Sequence, residues 1–106
     1  MRGGDQSQRH RAVVRAVRDA APIVGWVLWP IGQTSGKIRR PVVPKGFPDL
    51  IGINHMGVFV GCEVKTGKAV LDHYQMGARD QIMSHLAIHL VVSSVDDFLV
   101  QARRGR

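Results

Sequence analysis

Two short apolar runs, each carrying a carboxylate at one end, constrain this chain more than any other feature of its sequence. Asp49 begins the first run, and Glu63 and Lys65 stand two positions apart at the end of the second run. Alternate residues of a strand share a face, so a strand here points Glu63 and Lys65 the same way. If the two runs pair as a hairpin, Asp49 comes near Glu63. The sequence therefore predicts two carboxylates and an ammonium within one small volume.

Two carboxylates held this close favour a bound cation. Their mutual repulsion is costly unless a positive charge lies between them. Carboxylate oxygens are ligands that suit magnesium and manganese. We therefore predict a metal-dependent phosphodiesterase site with Mg²⁺ or Mn²⁺ as its cofactor.

Length and charge narrow the class of protein. A chain of 106 residues fits one domain, which we expect to span residues 1–106. The net charge of +7 predicts a polyanionic partner, most simply nucleic acid. No apolar stretch approaches the roughly 20 residues that cross a bilayer, so we expect no membrane partner. A single cysteine excludes an internal disulfide framework and fits a reducing cytosol.

The apolar periodicity predicts the element order α-β-β-β-α-β-α. Helices are expected over residues 5–21, from about 73 to 85, and over 95–103; strands are expected over 23–29, 49–54, 58–64 and 87–93. Pro22 should end the first helix, and Asp72 should cap the second. Because a helix connects the last two strands, we expect them to be parallel with a right-handed crossover. The fold class is therefore α/β, a mixed central sheet flanked by helices.

Several of these residues carry a family likeness. Pro48-Asp49 followed by Glu63-Val64-Lys65 resembles the PD-(D/E)xK nuclease signature. The wider set, Gly46-x-Pro48-Asp49-Leu50-Ile51, Glu63-Val64-Lys65-Thr66 and Gln75 in the next helix, is similar to the VRR-NUC branch. The likeness is close from residue 46 to residue 75, and residues 89–98 resemble that branch's last strand and helix. It implies a restriction-endonuclease-like fold and a divalent-metal-dependent DNA endonuclease.

The resemblance also implies a role for each matching residue. Asp49 and Glu63 would bind the metal ion, and the backbone carbonyl of Val64 would add a ligand. Lys65 would lie beside the attacking water and the scissile phosphate. Gln75 would support the site by hydrogen bonding.

At the amino end the chain departs from the family. The family has an acidic residue near the start of its first helix, whereas the candidates here are Asp5, Gln6 and Gln8, none a clear match. Without a carboxylate there, we favour one tightly bound ion. Backbone phosphates are expected to contact basic residues of the long loop and its surroundings, namely Lys37, Arg39, Arg40, Lys45 and Lys68.

Small members of this branch are similar to phage and bacterial structure-selective nucleases, some of which act as dimers on branched DNA. The resemblance therefore implies branched DNA such as a Holliday junction as substrate, a homodimer, and a helicase or replication protein as a further partner. It also implies a cytoplasmic location in a bacterial cell or phage-infected host. Three alternatives stay open: a catalytically silent nucleic-acid-binding module, a nuclease acting on RNA or simple duplex ends, and a structural basic protein.

Other residues that could bind a metal, stack on a base or react have simpler interpretations. His85 and His89 are four positions apart, but the β-type run around His89 argues against a metal pair on one helix. Trp26 and Trp29 lie in an apolar run, which favours core or dimer packing over base stacking. Cys62 precedes Glu63, so its side chain should point into the core.

Overall fold

The computed structural model describes residues 3–31 and 43–104, with side chains from residue 6 onward. Its elements are α1 (Gly3–Ala20), β1 (Val27–Pro30), β2 (Leu50–Ile53), β3 (Phe59–Val64), α2 (His73–Ser84), β4 (Ile88–Val92) and α3 (Val95–Arg104). A short 3-10 turn, Ala21–Val24, follows α1. The predicted order α-β-β-β-α-β-α and the α/β class are confirmed.

The four strands form one mixed sheet in the order β1-β2-β3-β4. The first three strands are antiparallel neighbours, and β4 runs parallel to β3. The parallel pair requires the crossover through α2, as expected from the sequence. In the β2–β3 ladder, Leu50 lies opposite Cys62.

One face of the sheet forms the core together with α1 and α3. Alternation along β2, β3 and β4 buries Leu50, Val60, Cys62, Val64 and Val92 on that face. Two valines of α1 and two residues of α3 pack against it: Val14, Val17, Phe98 and Ala102. As predicted, the Cys62 thiol is in the core, and burial there raises its pKa.

The first strand begins later than the sequence predicts. The prediction of a strand over residues 23–29 is wrong at its start, because Ala21–Val24 forms a 3-10 turn containing Pro22. Gly25 closes the turn with a φ of 79°, and its N–H contacts the Ala21 and Pro22 carbonyls. The turn buries Val24, and the Trp26 ring that follows meets Phe98 edge-on at 5.6 Å. These apolar residues therefore join the core without forming a strand.

Helix α2 begins with a reciprocal cap. The Asp72 side chain accepts the N–H of Gln75 at 2.8 Å, and the Gln75 side-chain carbonyl accepts the N–H of Asp72 at 3.0 Å. This confirms the predicted cap at Asp72. The helix ends at Ser84 and β4 begins at Ile88, so His85 and His89 do not share a helix. Among the described helices, none has the length and apolarity of a bilayer-spanning segment.

Strands β1 and β2 approach each other closely at Gly52, and a substitution there tests this packing. A Cβ added at Gly52 would overlap the Val27 carbonyl oxygen, whereas a Cβ added at Gly77 in α2 meets nothing. We expect Gly52→Ala to lower the free energy of unfolding by at least about 2 kcal/mol. Gly77→Ala should raise it by about 0.5–1 kcal/mol, because alanine favours the helix. Urea denaturation of both variants measures this, and equal stabilities would contradict the packing.

Candidate active site

The hairpin of β2 and β3 places Asp49 and Glu63 opposite each other. Leu50 faces Cys62 in the ladder, so the next pair outward is Asp49 with Glu63. The Glu63 side chain lies on the sheet face opposite the core, because its neighbours Cys62 and Val64 point into the core. Asp49 immediately precedes β2 at the end of the sheet, within reach of α1. Glu63 is only 3% exposed. The structure therefore brings the two carboxylates together, as expected from the sequence.

The Asp49 carboxylate is held by two neighbours. Its Oδ2 accepts the backbone N–H of Val64 at 2.9 Å and lies 3.1 Å from Nε2 of His10. When Asp49 is ionised its oxygens can only accept, and Nε2 of His10 is then the donor in this contact. The Asp49 side chain keeps 18% of its surface exposed, which leaves it accessible to a ligand.

His10 is a site residue that the sequence analysis missed. It comes from α1, the helix in which the resemblance led us to expect an acidic residue. Gln6 and Gln8 are exposed, and the side chain of Asp5 lies outside the described part of the chain. A signal was available: His10, Val14 and Val17 are spaced as one face of a helix, and the two valines are buried. That spacing extends the packed face of α1 to the carboxylates.

Glu63 is held by Gln75. The Gln75 amide nitrogen donates to Oε2 of Glu63 at 2.7 Å. The cap with Asp72 fixes the orientation of this amide, because its oxygen is engaged there and its nitrogen must face Glu63. The second oxygen, Oε1, is buried and has no hydrogen-bond partner among the described residues.

Burial and a neighbouring charge make Glu63 a weak acid. Burial raises its pKa to about 8, and the negative charge of Asp49 contributes to the rise. The Lys65 ammonium opposes this shift. Strong perturbation of a carboxyl beside a second carboxyl is typical of functional sites.

Val64 ends β3 and Lys65 follows it, both beside the carboxylates. The N–H of Lys65 donates to the Val92 carbonyl at 2.9 Å, which extends the pairing with β4 past the end of β3. Its side chain is half-buried. The N–H of Val64 points toward Asp49, and in an extended strand the carbonyl of the same residue points to that side too.

The donor set fits a hard divalent ion. Two carboxylates lie opposite each other, and Oε1 of Glu63 lacks a protein partner within the described ranges. No group of three or more His, Cys, Asp and Glu side chains suited to a metal ion occurs there. Such an ion would need further oxygen ligands, which magnesium takes readily from water, phosphate and backbone carbonyls.

The predicted phosphate contacts are only partly described. Lys45 is exposed, and its ammonium lies 4.8 Å from the centre of the Tyr74 ring. Lys68 is exposed in the turn after β3. Lys37, Arg39 and Arg40 lie outside the described residues. The DNA-binding role of all five stays a prediction.

Comparison with known proteins gives one clear likeness. No family model matches the sequence, and none of the curated proteins does. A solved structure described as a VRR-NUC domain aligns with a TM-score of 0.61, covering 85% of this chain and 89% of that chain at 22% identity. This chain has the fold of a VRR-NUC domain. The likeness confirms the fold inferred from the sequence, and the roles of individual VRR-NUC-like site residues stay predictions.

The raised pKa of Glu63 predicts a pH-dependent stability. Between its ordinary value of 4.5 and about 8, the folded protein retains a proton that the unfolded chain has lost. The free energy of unfolding should therefore fall as pH rises through this window and level off above it. Glu63→Gln, which is neutral throughout, should flatten that slope. Melting temperatures across the window measure the effect, and equal slopes would contradict the assignment.

Divalent ions should reverse this loss of stability. A metal ligand must be ionised, so Mg²⁺ or Mn²⁺ should raise the melting temperature more at the alkaline end of the window than at the acid end. The shift should disappear in Glu63→Gln. An equal shift in both proteins would place the ion elsewhere.

Proposed function

We propose that this chain is a divalent-metal-dependent nuclease that hydrolyses phosphodiester bonds, with residues 1–106 acting as one nuclease domain. The pairing of Asp49 with the buried Glu63 beside Lys65 carries the proposal. The VRR-NUC fold supports it independently.

Each residue has a distinct task in this reaction. Asp49, Glu63 and the Val64 carbonyl would hold Mg²⁺ or Mn²⁺, which when bound neutralises phosphate charge and lowers the pKa of its water. Lys65 supplies a fixed positive charge where negative charge develops on the phosphate. Gln75 and His10 keep the two carboxylates oriented.

DNA is the proposed substrate, and branched DNA such as a Holliday junction is the preferred form. The net charge of +7 supports a polyanionic partner.

A homodimer would match a substrate with paired sites. The edge strand β1 and its neighbour β2 expose apolar side chains that support self-association, with Trp29 54% exposed beside Val27 and Ile53. Sedimentation velocity measures whether the protein is a monomer or a dimer in solution. A cytoplasmic location in bacteria or phage-infected cells, and a helicase or replication partner, belong to the same proposal.

Substitution of Lys65 tests catalysis. Lys65→Ala should reduce magnesium-dependent cleavage about a hundredfold or more, because the phosphate loses its charge partner. Arg103→Ala, which removes one exposed positive charge from α3, is the matched control and should retain nearly full activity. Single-turnover cleavage of a labelled four-way junction measures both. Wild-type protein that binds without cutting would favour the catalytically silent module.

The same assay distinguishes substrates. Single strand, duplex, flap, four-way junction and RNA duplex are digested side by side. Faster cleavage of the junction is expected, whereas preference for duplex ends or RNA would favour the alternative nuclease. Salt-sensitive binding that divalent ions leave unchanged would favour a structural basic protein.

His10 should act through Asp49. We expect His10→Ala to lower cleavage by about 10- to 100-fold and to raise the Mn²⁺ concentration needed for half-maximal activity, because Asp49 loses a neighbour that orients it. Gln8→Ala changes an exposed side chain of the same helix and serves as the control. An unchanged manganese dependence in His10→Ala would show that His10 packs against the site without orienting Asp49.

A further inference from the structure

We propose that the cavity between α2 and the segment before Asp49 binds one unpaired nucleobase of the strand held at the site. This inference rests on the proposed nucleic-acid-cleaving function and adds a base-binding subsite to it. It makes a locally unpaired strand, rather than a continuous duplex, the form of nucleic acid that engages the protein.

The cavity has the size and lining of a small-ligand site. Its volume is about 570 Å³, within the usual range for such sites. Its walls are mainly apolar and include Phe47, Phe59, Tyr74 and Ile82. The rings of Phe47 and Phe59 provide surfaces on which a base can stack regardless of its identity. The Tyr74 ring is itself packed against the His73 ring, with centroids 4.1 Å apart, and adds apolar wall beside them.

The wall of the cavity is preformed. Gly46 has a φ of 86°, and a Cβ there would overlap the backbone of Tyr74. The N–H of Phe47 donates to the Pro44 carbonyl at 3.2 Å, which closes the turn. Only glycine permits this close approach, so the turn over residues 44–47 packs directly against the start of α2.

Polar groups at the rim complement a nucleotide. The Lys45 ammonium lies 4.8 Å from the Tyr74 ring centre, where it can contact a phosphate next to a stacked base. The side-chain amide of Gln81 has no partner within the described residues and offers a donor and an acceptor. His85 Nδ1 lies 2.9 Å from the backbone carbonyl of Gln81 and 3.2 Å from Ser84 Oγ, so Nε2 is the ring nitrogen left to contact a ligand.

The cavity lies within reach of the carboxylates. Tyr74 directly precedes Gln75, whose amide contacts Glu63. Phe59 and Glu63 lie on the same face of β3, about 13 Å apart at roughly 3.3 Å per residue. A stacked strand advances about 3.4 Å per nucleotide, so about four nucleotides cover that distance. The strand at the site can therefore place a base in the cavity.

Binding of normal and abasic single strands tests the inference. Both strands carry the same phosphates, so fluorescence anisotropy of end-labelled strands of equal length isolates the contribution of the bases. Tyr74→Ala should weaken binding of the normal strand about 5- to 100-fold and leave the abasic strand nearly unchanged. Ala78→Trp, which fills the cavity, should do the same without removing a side chain. Met83→Ala, exposed on α2 and outside the cavity lining, is the control.

The outcomes separate this inference from the nuclease proposal. Equal affinity for the two strands, or equal losses on both in Tyr74→Ala and Ala78→Trp, would overturn the base-binding subsite even if cleavage is intact. Base-dependent binding that requires Tyr74, in a protein that cuts nothing, would uphold the subsite and reject the nuclease. A dimer of the protein alone that Ala78→Trp dissociates would assign the cavity to a second copy instead.

Discussion

The register between β2 and β3 is the constraint on which the rest of this structure depends. It sets Leu50 against Cys62 in the core and, one step outward, Asp49 against Glu63 at the end of the sheet. A slip of one residue in either strand would turn one carboxylate inward and separate the pair. The core residues that α1 and α3 bury therefore also fix the geometry of the carboxylate pair.

The carboxylate pair is held at a cost to stability. A buried glutamic acid beside an aspartate disfavours its own ionised form, which the pKa of about 8 for Glu63 expresses. Contacts from three separate segments stabilise the arrangement: His10 from α1, the Val64 N–H from β3 and Gln75 from α2. A divalent ion bound by the two carboxylates, as we propose, would stabilise the ionised form of Glu63 and offset this cost.

Helix α2 links the two proposed functional regions. Its first turn positions Gln75 against Glu63, while Tyr74, Ala78 and Ile82 line the neighbouring cavity. Gly46 brings the segment before Asp49 against the same turn of the helix. A strand of nucleic acid bound at the carboxylates would therefore contact one helix at both places. The two proposals together would couple cleavage to local unpairing through adjacent positions of a single helix.

The sequence by itself determined the element order, the shared face of Glu63 and Lys65 and the capped start of α2. These follow from local alternation and spacing, which strand and helix geometry impose on any chain. Only the tertiary structure decided that β1 starts after the Ala21–Val24 turn, that His10 reaches Asp49 and that a cavity forms beside α2. Each of these depends on contacts between segments distant in the chain, and packing of that kind overrides local preference.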